Sequence, residues 1–158
     1  MIILKQIENI QSKWGDSVVE IGTLKKNKTA CHDATEKMLK KLYAFDLGEV
    51  LFKPTRVTKK QFRLSFEGAK SYFVGDNLLY NEDNGFALHP WLNVRFENVS
   101  VILKEDHAIA MGNYFFTDSH GKIVKVEYTF GYIKDLKGAL KINLHHSSFP
   151  YNDDEYFD

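Results

Sequence analysis

Ala139-Leu140-Lys141-Ile142-Asn143-Leu144-His145-His146-Ser147-Ser148-Phe149-Pro150 runs an alternation of apolar and polar residues into two histidines, two serines and a proline. Strand side chains point to opposite faces with period two. Leu140, Ile142, Leu144 and His146 are therefore expected on one face, and Lys141, Asn143, His145 and Ser147 on the other. The apolar row marks the first as the core face. His146 then stands at the end of a greasy surface, which is how a pocket acquires an acid or a base. His145 is expected at an interface or in solvent.

Upstream of this strand the chain reads as an antiparallel meander. Val94 to Lys104, Ala108 to Thr117 and Ile123 to Lys134 are expected strands joined by short turns, with Gly121 and Gly138 supplying the positive φ of hairpins. Val50 to Lys53 is a short strand ended by Pro54, and Phe62 to Phe66 alternates as a further strand. Gly68 to Gly75 is read as a short helix. Ile3, Ile7, Ile10, Trp14, Val18 and Ile21 mark one face of an N-terminal helix, with a kink or break allowed at Gly15. Cys31, Ala34, Met38, Leu42 and Phe45 mark a second helix, capped by Thr29. Helices followed by a curved, mostly antiparallel sheet make an α+β domain over residues 1–151, with an acidic flexible tail over 152–158.

Composition narrows the partners. Lys plus Arg and Asp plus Glu number 21 each, so the net charge is zero, unlike the basic stripe of a nucleic-acid binder. The single cysteine, Cys31, makes no internal disulfide and points to a cytoplasmic setting. No apolar run reaches the roughly 20 residues that span a membrane. Six histidines are present, but no pair has the i, i+4 spacing of a zinc enzyme, so neither a metal nor another cofactor is expected. In the strand from Ile123 to Ile133, Val124, Val126, Tyr128, Phe130 and Tyr132 share one face, yet the other carries Ile123 and Ile133 as well. Both faces need cover, and a homodimer through the outer sheet face is the expected cover for the second.

The layout resembles the nuclear transport factor 2-like superfamily, in which a sheet curls around helices into a cone. Gly121 to Phe130, followed by Leu140-Lys141-Ile142 and His145 to Pro150, looks like the final hairpin of the calcium/calmodulin-dependent protein kinase II association domain and of the related SnoaL-like proteins. In the kinase domain an arginine closely follows the corresponding histidine. This chain has Ser147 or Ser148 there, so the pocket arginine is not carried over. The resemblance implies a pocket at the wide end of the cone but no particular activity.

The candidate chemistry centres on His146 as base or acid. Glu127 is either its helper or an interface carboxylate paired with Lys125, Arg95 or a partner subunit's base. His89 and Trp91 fall at the expected mouth, and Tyr43, Phe45, Tyr114, Tyr128 and Leu144 complete an aromatic pocket with a few hydroxyls. The expected function is binding of an unidentified, largely apolar small molecule by a SnoaL-like protein of no assigned role. The alternatives are a cofactor-free isomerase, dehydratase or cyclase, and an oligomeric association module.

Overall fold

In the computed structural model, which describes residues 1–155, three helices pack on one face of a five-stranded sheet. The helices are α1 (Leu4–Thr23), α2 (Lys28–Leu42) and α3 (Phe66–Val74). The strands are β1 (Leu51–Lys53), β2 (Trp91–Leu103), β3 (His107–Asp118), β4 (Ile123–Lys134) and β5 (Leu140–Ser148), in spatial order β1-β5-β4-β3-β2. The long strands form the expected antiparallel meander, and only β1 pairs in parallel, with β5. This is the α+β cone arrangement anticipated from the sequence.

The inward face of β4 buries Val126, Tyr128, Phe130 and Tyr132, while Lys125 and Glu127 stay outside. Trp14, from the apolar stripe of α1, is the hub of the core. Its ring lies within 6.2 Å, centroid to centroid, of Phe73, Phe96, Tyr114, Phe116, Phe130 and His145. Burying each such aromatic side chain is worth about 1.5–3 kcal/mol, so this cluster carries much of the fold. On the outer face of the sheet Val99, Ile102, Met111 and Ile123 remain exposed.

Four local expectations are corrected. The α1 helix runs through Gly15 without a break. The second helix is capped by Asn27, whose Oδ1 accepts the Ala30 N–H at 3.0 Å, instead of by Thr29. Residues 62–66 form no strand: Phe62 and Leu64 are exposed, and Arg63 is the buried member of the alternation. Its guanidinium meets both carboxylate oxygens of Asp83, at 2.6 and 2.8 Å, and that pairing makes burial of a charge tolerable. Ser65 instead caps α3, accepting the Gly68 N–H at 3.0 Å.

The fourth correction decides where the chemistry sits. Tyr132 pairs with Ile142, but the preceding residue, Gly131, pairs with Leu144. One extra residue, Asn143, is therefore inserted into β5. Such a bulge inverts the alternation beyond it. Ile142 faces the core as expected, but from there on His145 and Ser147 turn inward, while His146 is exposed and Leu144 is only half-buried. Gly131 makes the bulge possible, since a Cβ there would lie 2.8 Å from Leu144 Cβ and 3.0 Å from Asn143 Oδ1.

Of the acidic tail, Asp153–Glu155 forms a 3₁₀ turn, and the rest of it, 156–158, lies outside the described residues. Among the described residues no helix is long and apolar enough to cross a membrane.

Candidate active site

The inward turn of His145 places its imidazole between two phenyl rings. Phe130 stacks on it at 4.0 Å and Phe52, from β1, at 4.7 Å, centroid to centroid. Both ring nitrogens find polar partners. Nδ1 lies 2.7 Å from the Tyr43 hydroxyl, and Nε2 lies 3.1 Å from the Tyr114 hydroxyl and 3.0 Å from Ser147 Oγ. The Tyr114 and Ser147 hydroxyls are themselves in short hydrogen-bond contact.

The direction of this chain follows from its far end. Trp14 Nε1 can only donate, and it donates to the Tyr43 oxygen at 2.9 Å. Tyr43 is fully buried, so its own proton has one place to go, His145 Nδ1. We therefore assign the Nε2–H tautomer to His145, which donates into the Tyr114–Ser147 pair. Burial holds the imidazole pKa well below its usual value, with the neighbouring His146 adding in the same direction. The cluster is neutral at neutral pH. Burial also raises Tyr114 and Tyr43 well above the ordinary phenol value.

Thr55, just beyond β1, extends the polar row, because its side chain reaches both Tyr114 and Tyr72 of α3. The Tyr72 hydroxyl also accepts the Arg56 N–H at 3.4 Å. Two clefts open beside this row and share Arg56 and Phe86. The smaller, about 100 Å³, includes Tyr72 in its lining. The larger, about 600 Å³, is lined by His89, Trp91, Phe116, Asp118 and Val126 among others. Val126 is the cross-strand partner of Tyr114, so the floor of the larger cleft abuts the cluster.

The residues singled out from sequence separate accordingly. Tyr43 and Tyr114 belong to the cluster, and His89 and Trp91 line the larger cleft. Phe45 stacks on Tyr43 at 6.0 Å, and the Tyr128 hydroxyl donates to Asn98 Oδ1 at 2.8 Å, away from His145. His146 and Glu127 do not face the core. They line a shallow groove on the outside of the sheet together with Val99 and Met111, and Leu144 sits beside the bulge. The nearest partner of Glu127 is Ser148 Oγ at 3.5 Å, in place of Lys125 or Arg95. Trp14, Thr55, Tyr72, His145 and Ser147 were not anticipated. The doubled His-His and Ser-Ser pairs were the available signal, since either phase of the strand sends one histidine and one serine inward.

Among the described residues no three His, Cys, Asp or Glu side chains converge as a metal-ligand set. A family model described as metal-independent carbonic anhydrase matches residues 5–149. A metal-independent carbonic anhydrase from Nostoc sp. (strain PCC 7120 / SAG 25.82 / UTEX 2576) is 40% identical over 144 residues, which are 89% of this chain and 70% of that protein. This chain belongs to the metal-independent carbonic anhydrase family. The crystal structure of a cyanobacterial iota-carbonic anhydrase complexed with bicarbonate matches it with a TM-score of 0.92 and 38% identity, over 96% of this chain and 94% of that one. A calcium/calmodulin-dependent protein kinase II association domain from Xanthomonas campestris matches with a TM-score of 0.64 at 24% identity, over 95% of this chain and 89% of that one, and supports the fold alone.

Membership of the carbonic anhydrase family corrects the functional expectation. The chain is not a SnoaL-like binder of no assigned role; its family is one of enzymes. The resemblance to the kinase association domain gives the fold correctly but not the family.

Proposed function

We propose that this chain interconverts carbon dioxide and bicarbonate at the Tyr114–Ser147–His145 cluster. The observation that carries this reading is the near full-length match to an iota-carbonic anhydrase complexed with bicarbonate. The family is described as metal-independent, so the polarisation that a metal supplies in other hydrases is asked here of hydroxyl groups.

Hydration requires a water oxygen to bond to carbon while a water proton leaves and a carbon dioxide oxygen takes up charge. A hydroxyl of the Tyr114–Ser147 pair serves both ends. Its oxygen accepts a proton from the attacking water, and its own proton passes to a carbon dioxide oxygen. One O–C bond forms and one C–O π bond breaks. The product is carbonic acid, which becomes bicarbonate by releasing a proton. His145 stays neutral throughout. Its Nε2–H donates to the hydroxyl pair, leaving the pair's own proton free to point at the substrate. The enclosing rings of Phe52, Phe130 and Trp14 keep these dipoles in a low-dielectric setting, where they act strongly.

Stopped-flow hydration of carbon dioxide tests the reading. The protein is expected to exceed the buffer rate, and Ser147→Ala and Tyr114→Phe to lower kcat on the order of a hundredfold, as loss of one preorganised donor does. Circular dichroism checks that each variant is folded. A folded protein that does not exceed the buffer rate overturns the reading.

A further inference from the structure

The chain has three arginines, and two of them are committed. Arg63 is buried on Asp83, and Arg95 lies over the Phe115 ring at 4.3 Å with Nη1 3.3 Å from Glu97 Oε2. Arg56 differs. Its backbone N–H is engaged by the Tyr72 hydroxyl, but its guanidinium makes no hydrogen bond or ion pair among the described residues. The side chain is exposed and lines both clefts.

The carboxylates around it are already engaged. Glu82 accepts the Lys59, Thr58 and Lys60 N–H groups at 2.7, 3.3 and 3.4 Å, and Asp83 holds Arg63. Asp118 Oδ1 accepts the His120 and Lys122 N–H groups at 2.8 and 3.0 Å. The larger cleft thus sets Arg56, Lys122 and Lys125 against Asp118 alone, in a chain of zero net charge. A cleft lined by one sign of charge concentrates the opposite ion. Thr55, the preceding residue, reaches Tyr114, so the free guanidinium stands next to the hydroxyls where carbonic acid forms.

We propose that Arg56 is the bicarbonate-binding residue of this protein, holding the anion where the two clefts meet. This rests on the carbonic anhydrase reading. Carbonic acid leaving the hydroxyl pair ionises to water without a protein base, and the resulting planar anion presents two oxygens that match the guanidinium fork. In the opposite direction the same charge collects bicarbonate from solution. Carbon dioxide is neutral and gains little from it, so Arg56 distinguishes the two carbon species. No bond to carbon is made or broken at Arg56.

The test is stopped-flow hydration with added bicarbonate, at fixed pH and ionic strength. Arg56→Gln is expected to raise the inhibition constant of bicarbonate about fivefold, the upper range for an exposed ion pair, while kcat/KM for carbon dioxide falls by less. Arg56→Lys, which keeps the charge and loses the fork, should lie between Arg56→Gln and the wild type. Arg95→Gln removes the same charge from the outer sheet face and should move the constant by less than about twofold. An unchanged constant in Arg56→Gln, an equal rise in Arg95→Gln, or a fall in kcat/KM as large as the rise in the constant overturns the assignment while leaving the parent reading intact. A wild-type protein no faster than buffer overturns both.

Discussion

The Tyr43 hydroxyl lies 2.7 Å from His145 Nδ1 and, holding the Trp14 indole N–H on its oxygen, turns its single proton toward the imidazole. A helix that supplies only a donor thus fixes the tautomer of a histidine on a strand 102 positions away from Tyr43. The consequence reaches the far side of the ring, where Nε2–H organises Tyr114 and Ser147.

Tyr43→Phe should release that constraint. Two buried polar groups lose their partner, which costs about 1–3 kcal/mol per group. Urea denaturation is expected to show a loss of about 2–6 kcal/mol for the two groups together. ¹⁵N spectra of the imidazole should show the Nδ1–H form gaining population, with hydration slowed. Unchanged nitrogen shifts would mean that the tautomer is set elsewhere.

Protonation should destabilise the fold as the solution turns acidic. Burial places the folded-state pKa of His145 well below the ordinary imidazole value of about 6.5. Between the folded and unfolded pKa values the unfolded chain binds more protons, so stability is full above about pH 6.5 and falls as the pH drops toward the folded value. His146 shifts the same way, through burial and then Lys53, but is exposed, so its share is smaller. The melting temperature of the wild type should decline from pH 7 to pH 5. A His145→Gln variant, though less stable at pH 7, should decline less steeply.

The bulge is the part of the site that the sequence concealed. Period-two reading from Leu140 is correct for Ile142 and wrong for every residue after Asn143, because nothing in Asn143-Leu144 announces an inserted residue. The evidence for it lies on the neighbouring strand, as the absent side chain of Gly131, and pairing across strands cannot be read from one strand alone. The helices, the meander and the inward face of β4 were legible because each is a local period repeated several times. The His145 cluster was not, since it draws single residues from α1, the end of α2, β3 and β5. Gly131→Ala should therefore perturb the site as well as the fold. Its Cβ would press on Leu144 Cβ, and overpacking of this kind costs about 1–3 kcal/mol. Loss of hydration beyond the loss of stability, measured on the folded fraction, would place the bulge in control of His145.

The same phase error separates two neighbours experimentally. His146→Ala is expected to leave hydration within about twofold of wild type, since exposed substitutions commonly move energies by less than 0.5 kcal/mol. His145→Ala should abolish most of it. The reverse result would return the chemistry to the outer groove shared by His146 and Glu127.

Arg63 holds the segment that borders the smaller cleft. Its guanidinium and the Asp83 carboxylate are both fully buried, and it also donates to the Lys60 and Gly68 carbonyls at 2.7 and 3.0 Å. Ser71 of α3 shares the carboxylate, donating to Asp83 Oδ2 at 2.6 Å, so one ion pair ties the residues before α3, the helix itself and the chain around Asp83 together. Arg63→Ala leaves a buried carboxylate without its charge partner, for which the cost is about 3–5 kcal/mol. The replacement Arg63→Met with Asp83→Leu removes both charges and should recover much of that loss, because burying a charge pair is itself costly. Thermal denaturation of the single and double variants checks the ordering. A double variant as unstable as the single would mean that the hydrogen bonds to Lys60, Gly68 and Ser71, and not the charge pairing, hold this segment in place.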